Sequence, residues 1–416
     1  MEIAVVGGGI AGLAFALALQ ARGLRCTVYE GVAALREVGV GITLLPHAMR
    51  ELSALGLRDR LQAQAIENLE SVFYNRHGQF IYREPRGRHA GHAEPELGIH
   101  RGRLHGILLQ AVRERLGEAA VRTSHRGERV QLHDDGATLH FAPPARGLAA
   151  PPPARADVVV ACDGIHSALR RQLHPQDRLC FAGINTWRGT TLRPPILTGR
   201  SYLRIGSIDT GKMVIYPIAD DVDGSGLQRI NWVAEIRREG APMNDWNQPG
   251  RAADFLDVYA EWRFPWLDVP ALITQAEQVL EYPMVDRDPL PAWGQGRVTL
   301  MGDAAHPMYP RGSNGSAQAL IDARVLADEL AAAAAAGTDP ALALRRYEDA
   351  RRPPTARVVE TNRTVPPDAI IMKVDELSGG RPFERLEDLV SQDELRAISQ
   401  RYQQIAGFVP GASAPT

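Results

Sequence analysis

The hydrophobic pattern changes period twice within the first thirty residues. Ile3–Val6 is an unbroken apolar run, as expected of a strand buried on both faces of a parallel sheet. Ile10–Gln20 is dense in Ala and Leu and predicts a helix packed on that sheet. Cys26–Tyr29 is apolar again and predicts a second strand. Further strand-like runs follow at 157–161 and 298–301, each opening through small residues into a helical stretch, the second of these helices covering 316–336. Between them, 66–82 reads as strands with a turn at His77-Gly78, and 130–141 alternates as a strand pair does. Helical spacing of Leu104, Ile107, Leu108, Ala111 and Val112 predicts a helix within 99–116. Pro46 opens another helix at 46–57.

From 181 to 282 the character changes. Strand signals dominate at 183–191, 202–208, 212–217 and 229–236, and the aromatic residues Trp187, Tyr202, Tyr216, Trp232, Trp246, Tyr259, Trp262 and Trp266 gather here. This predicts a mostly antiparallel sheet followed by helices. Each aromatic could fill a core, whereas the set could line a flat pocket. The helix at 342–352 is expected to stop at Pro353-Pro354. Charged amphipathic helices are expected over 375–404, with a frayed end. The pattern gives an α/β fold in which 1–180 and 283–365 form one discontinuous unit, 181–282 an inserted β-sheet unit, and 366–416 a helical tail.

Composition narrows the class without naming it. At 416 residues the chain is too long for one simple core. A formal net charge of -2 gives no reason to expect nucleic acid or an anionic membrane as a partner. Three scattered cysteines, Cys26, Cys162 and Cys180, fit reduced thiols in the cytoplasm and no disulfide framework. No run reaches membrane-span length and no signal peptide is evident. His89 and His92 sit in a polar loop without further ligands, so no metal is expected.

The chemistry lies in the glycines. Gly7, Gly9 and Gly12 form G-x-G-x-x-G between the first strand and helix. Gly7 permits the tight turn, Gly9 lets backbone approach a pyrophosphate, and Gly12 lets the helix lie near the strand. The helix start, with Ile10 and Ala11, offers free N–H groups to phosphates. Glu30 closes the second strand about 20 residues on, placed to accept from a ribose hydroxyl, with Gly31 beside it. Gly39-Val40-Gly41-Ile42 is either a close approach to a ligand or a plain turn. His47 either caps its helix or faces a ligand behind that loop. Arg101 is either a solvated helix-start residue or sits at the site's edge. Asp163-Gly164 follows the strand at 157–161, where ligands of α/β sheets bind; the alternative is an Asp that caps a helix. Gly302-Asp303 and the loop through Pro310, Gly312, Asn314 and Gly315 repeat the strand, acid, glycine, helix sequence. One long ligand spanning these edges is the economical reading.

Taken together, these three spaced motifs resemble the FAD-dependent aromatic hydroxylases of the p-hydroxybenzoate and salicylate hydroxylase type, over about residues 1–365. Stretches such as VGVGI, IHRGRLHGILLQAVRERLG, DGIHSALR, WRGT and GDAAHPMYP are closest in look to phenazine-tailoring members of that family. The resemblance implies a Rossmann-like FAD-binding domain with an inserted substrate-binding sheet. It implies that Gly7, Gly9 and Gly12 cradle the FAD pyrophosphate, and that Glu30 holds the adenosine ribose. Arg101 would contact the phosphate or ribityl region and Asp303 the ribityl chain. Gly312 and Asn314, with residues 39–42 on another side, would line the flavin ring, and Asp163 and Gly164 fall in the motif linked to both FAD and NAD(P)H. Two positions depart from the family: Gly312-Ser313-Asn314-Gly315 replaces a glycine-glycine-glutamine-glycine run, and His47 stands where many relatives carry Asn.

The implied activity is a monooxygenase using FAD, O2 and NADH or NADPH to hydroxylate an electron-rich planar aromatic small molecule, through oxygen added at flavin C4a. A base that removes a phenolic proton would assist, and His47 and Tyr216 are the candidates. Two other flavoprotein classes compete. A halogenase would carry W-x-W-x-I-P, which Trp262-Arg263-Phe264-Pro265-Trp266 does not match. An FAD oxidoreductase would insert no oxygen. A third possibility is a non-catalytic FAD-binding regulator.

Overall fold

The computed structural model describes residues 1–37, 39–238, 248–364 and 368–406. Trp246 and the residues after 406 lie outside them.

A parallel sheet forms the base. β1 (Ile3–Val6) lies between β2 (Cys26–Tyr29) and a strand at Val158–Ala161, and Val298–Leu300 pairs beyond that. The two-residue strands Gly294–Gln295 and Val121–Arg122 close the edges. Each central strand is apolar throughout because both faces are covered, one by helices and the other by the small antiparallel sheet of 127–133, 136–141 and 154–156. α1 (Ile10–Gln20) is buried over Gly12–Leu19, since its small side chains let it lie flat on the sheet and against the long helix Gly315–Ala336. Residues 142–153 form the loop joining two strands of that small antiparallel sheet.

A short antiparallel set bridges to the rest: β3 (Gly41–Leu44) pairs with β4 (Leu97–His100), which feeds directly into α2 (Arg101–Leu116). The large sheet has eight strands. Its centre is β5 (Leu179–Arg193), β6 (Ser201–Ile205), β7 (Lys212–Ala219), β8 (Gln228–Arg237) and β9 (Gln278–Arg287), in the spatial order β9-β5-β8-β7-β6. The hairpin Glu70–Tyr74 and Phe80–Pro85 extends the β6 edge, so this sheet also draws on chain outside 181–282. Helices Ala369–Ser378 and Gln392–Ala406 follow at the end, and Ile370, Ile371, Val374 and Leu395 pack on that hairpin's Phe73 and Ile81.

The two faces of the large sheet differ by parity. Trp187, Trp232, Leu203, Ile215 and Ala234 point to one side and pack with Phe255, Tyr259, Trp262, Leu272 and Ile273. Trp187 stacks on Phe255 at 4.7 Å and Trp266 lies 4.4 Å from Tyr74. The tryptophan set is therefore core and does not line a flat pocket. The other face carries Arg188, Asn231 and Tyr216, each one position out of step with the tryptophans.

One helix runs longer than its prolines predict. The last long helix spans Pro340–Thr364 through Pro353 and Pro354. Tertiary packing outweighs the lost N–H groups: Val358 and Val359 bury against Met308, and the Thr355 hydroxyl donates to the Arg351 carbonyl at 2.9 Å.

Gly189 marks a tight contact within the aromatic core. A Cβ there would lie 2.4 Å from Trp232 Cζ2 and 2.8 Å from the Gln278 carbonyl. Gly189→Ala is expected to destabilise the protein by about 1–3 kcal/mol through overpacking. Chemical denaturation of the two proteins checks this; an unchanged midpoint would show that the ring can move aside.

Candidate flavin site

The first glycine motif is built by steric exclusion. Gly7 has φ +105°, and a Cβ on it would lie 2.5 Å from the Cys162 carbonyl. Gly12 meets the Gly7 carbonyl, where a Cβ would fall at 2.0 Å. Gly9 has open space above it. Turn and helix thus lock together while the middle glycine leaves room for a ligand. A cavity of about 840 Å³ opens here, lined by Gly7, Gly9, Glu30, Gly31, Asp163 and Gly164. Two motifs far apart in sequence share one cavity because β1 and Val158–Ala161 are adjacent parallel strands.

Glu30 is a brace as well as an acceptor. Its Oε2 accepts from the Gly8 N–H at 2.7 Å and its Oε1 from the Val32 N–H at 2.9 Å. Each oxygen retains a lone pair for a hydroxyl. Asp163 proves to cap: its Oδ2 accepts from the Ala168 N–H at 2.9 Å, at the start of helix Ala168–Leu173. Burial raises its carboxyl above the usual range, against hydrogen bonds from Ser167 and Ala168. Capping does not take it out of the cavity wall, since Asp163 and Gly164 both line it.

The third motif is held against the first. Gly302 has φ +61°, and a Cβ on it would lie 3.1 Å from the Ala11 methyl. Ile10 and Ala11 begin α1 at this point. Buried Asp322 accepts from the Gly302 N–H at 3.2 Å, from Arg351 Nε at 2.7 Å and from His306. Burial pushes the Asp322 carboxyl up, but His306 and Arg351 outweigh it and hold it below its ordinary value. Arg170, buried, donates to the Ala304 and Ala305 carbonyls at 3.0 and 2.7 Å and pairs with Asp177. His105 Nε2 reaches the Gly8 carbonyl at 2.7 Å. The sequence pattern did not reveal Arg170, His105 or Asp322 as supports, because each acts on backbone distant in the chain. Asp303 is solvent-exposed on one side, and enclosure by protein on the others raises its carboxyl, with His306 and Arg101 opposing.

The other predicted residues meet around residues 39–42. Gly39 packs on the Arg101 side chain, and the Arg101 N–H donates to the Val40 carbonyl at 2.9 Å. Gly41 N–H donates to Asn231 Oδ1 of β8 at 2.7 Å, tying the glycine loop to the large sheet. His47 follows in the helix Pro46–Ala54 and shares a hydrogen bond with Asn314. Gly312 has φ +74°, and Pro310 is exposed beside it. Tyr216 lies buried on β7, its ring stacked on Tyr202 at 4.9 Å, with Gly98 of β4 packed against it.

The ionisation of the two candidate bases is unfavourable for proton uptake. Burial and nearby Arg50 lower His47 to about 4, so it is a neutral imidazole at neutral pH. Burial and the Tyr202 ring push Tyr216 above its ordinary value, so it remains a phenol. Both act as hydrogen-bonding groups at neutral pH, and neither is a strong base.

The geometry of the cavity at the strand ends fits a dinucleotide, and comparison decides which. The FAD binding domain family model matches residues 1–245 and 267–362. The chain belongs to the FAD-dependent aromatic hydroxylases. It is 42% identical over 368 residues to a phenazine 1,6-dicarboxylic acid hydroxylase of Lysobacter antibioticus, covering 87% of this chain and 89% of that protein. It is 38% identical to a 3-amino-4-hydroxybenzoate 2-monooxygenase of Streptomyces platensis, covering 87% and 86%. Klebsiella pneumoniae HpxO, solved with FAD and uric acid, superposes with a TM-score of 0.73 at 22% identity over 98% of this chain and 92% of its own, and shows the shared fold. The hydroxylase is an FAD enzyme using O2 and reduced nicotinamide on a small aromatic substrate, and the halogenase and simple oxidoreductase readings fall away. The tryptophans of 262–266 are core residues, consistent with that outcome. Among the described residues no helix is long and apolar enough to cross a membrane.

Two predictions arise from this site. Ser313, at the second glycine position of the family run, has φ +58°. That left-handed backbone costs a non-glycine residue about 1 kcal/mol, so Ser313→Gly is expected to stabilise the fold by that amount in denaturant titration. His47 is lowered from 6.5 to about 4, so the unfolded chain takes up its proton first as pH falls. Stability present above pH 6.5 is therefore lost toward pH 4, by about 3 kcal/mol from this group. His47→Gln should flatten that part of the stability profile relative to the native protein; identical acid limbs would refute the buried neutral imidazole.

Proposed function

We propose that the enzyme hydroxylates a planar aromatic carboxylic acid, with FAD held by the three glycine motifs and the substrate ring placed against the polar face of the large sheet. The observation that carries this reading is the 42% identity to a hydroxylase whose named substrate is a phenazine dicarboxylic acid. The second relative is likewise named for an aromatic carboxylate. The unit 1–180 with 283–365 would hold the cofactor and 181–282, extended by the hairpin at 70–85, the substrate.

The residues divide the work. Gly7, Gly9 and Gly12, with the start of α1, would receive the pyrophosphate, and Glu30 the adenosine ribose. Arg101 would neutralise phosphate charge and Asp303 would accept from the ribityl hydroxyls. Gly312, Asn314 and Val40-Gly41 would border the flavin ring. Asp163 and Gly164 would close the nucleotide end. Bound FAD would supply the redox chemistry that activates O2. The protein orients the ring and excludes water: β4 and the 39–42 loop cover the sheet, and Tyr216, Tyr202 and Asn231 beneath them are buried. Neutral His47 fixes Asn314, a positioning role. The Tyr216 phenol is a donor to a substrate hydroxyl or oxyanion. The unpaired thiols Cys26, Cys162 and Cys180 suit a cytoplasmic enzyme.

The test is NAD(P)H consumption by FAD-loaded protein across hydroxybenzoates, hydroxynicotinates and phenazine carboxylates, with product mass measured under isotopically labelled O2. An acid that accelerates consumption and gains one labelled oxygen is the expected result. Consumption that yields only peroxide with every acid would overturn the substrate class. With an active acid in hand, Tyr216→Phe should lower kcat/KM roughly tenfold at unchanged FAD content. An unchanged kcat/KM would remove Tyr216 from the site.

A further inference from the structure

Two buried donors on one face of the large sheet lack partners. The first is the amide of Asn231, which is 0% exposed. Its orientation is fixed by chemistry: the Gly41 N–H can only donate, so Oδ1 faces it and the NH2 end is free. That Nδ2 is buried without a hydrogen-bond partner. The second is Arg188, whose buried Nε also has no partner. Its guanidinium lies 5.2 Å from the centre of the Tyr282 ring. Unpaired buried donors are costly, so each calls for a partner supplied by something else.

The two are neighbours. Thr190 of β5 stands opposite Asn231 of β8, and Arg188 opposite Val233. Arg188 and Asn231 are thus a diagonal pair on the same face, about 7 Å apart, within reach of one small group between their ends. Tyr216 lies directly across from Asn231 on β7. The other cations of this face are satisfied: Lys212 pairs with Glu235 at 3.0 Å and Arg204 donates to Ser71 at 2.6 Å. Among the described residues, Arg188 faces this polar row without an ion pair and with its Nε unmet.

We infer that Arg188 and Asn231 together hold the carboxylate of the aromatic substrate, Arg188 by a charge-assisted hydrogen bond and Asn231 through its free NH2. This deepens the proposed reading of an aromatic acid hydroxylase and rests on it. The same Asn231 side chain then joins substrate to the Gly41 backbone, so carboxylate binding and the placement of residues 39–42 are coupled through one amide. Asn231 is a specificity residue and Arg188 the charge that selects acids over neutral rings.

The test compares matched ligands on FAD-loaded protein without NAD(P)H, reading dissociation constants from the flavin absorbance change. The probes are 3-hydroxybenzoate against 3-hydroxybenzamide, and phenazine-1-carboxylate against phenazine-1-carboxamide. The native enzyme is expected to prefer each carboxylate. Arg188→Met should weaken carboxylate binding by roughly tenfold to a hundredfold and leave the carboxamide within about threefold. Arg188→Lys should regain part of the loss. Asn231→Asp keeps an acceptor for the Gly41 N–H but replaces the donor with a negative charge, so it too should reject carboxylates selectively. Arg188→Gln replaces Arg188→Met if the latter does not retain FAD. A native preference for carboxylates that persists in the Arg188 and Asn231 variants overturns the assignment alone. No native preference for carboxylates overturns the aromatic acid reading as well.

Discussion

The fold turns on a single steric contact. The Gly12 Cα backs onto the Gly7 carbonyl so closely that no side chain fits between them. That contact sets how near α1 lies to β1, and Gly7 in turn presses on the Cys162 carbonyl. The chain ends of two parallel strands are thereby drawn into one cavity. The third motif closes the set because Gly302 packs on Ala11, the second residue of the same helix. Three motifs separated by well over a hundred residues are registered through one helix start.

Around that contact lies a second shell of buried charge. Asp322, His306 and Arg351 fix the Gly302 turn from behind, and Arg170 ties the next carbonyls to the helix after Asp163. Breaking any one would strand a buried charge, a cost of several kcal/mol in other proteins. The 39–42 loop is joined to the large sheet by the Gly41 to Asn231 hydrogen bond and to the start of α2 by the Arg101 N–H.

The large sheet divides labour by parity. Trp187 and Trp232 face the hydrophobic side; their sequence neighbours Arg188 and Asn231 face the side on which the 39–42 loop lies. An aromatic-rich composition thus marks the hydrophobic side of the sheet and not the side of the loop. What meets the glycine loop is the polar Asn231, and the neighbouring Tyr216 is held as a neutral phenol by its burial. The same burial keeps His47 a neutral imidazole, which suits it to hold Asn314 and not to take up a proton.

The sequence by itself determined the strand–turn–helix edges. The turns at Gly7–Gly12, Asp163-Gly164 and Gly302-Asp303 were legible because strand, turn and helix are local, and glycine at a turn is forced by backbone sterics within a few residues. The antiparallel sheet was legible from alternation, and the motif order named the family. Three things were decided only by tertiary structure. The helix through Pro353 and Pro354 continues because Val358 and Val359 find Met308, a contact that local propensity does not contain. The tryptophans became core because strand register, set across the sheet, chose which parity met the helices. Asn231 and Arg188 gained their significance from an unmet hydrogen bond each, and whether a buried donor is met depends on every chain segment that comes near it.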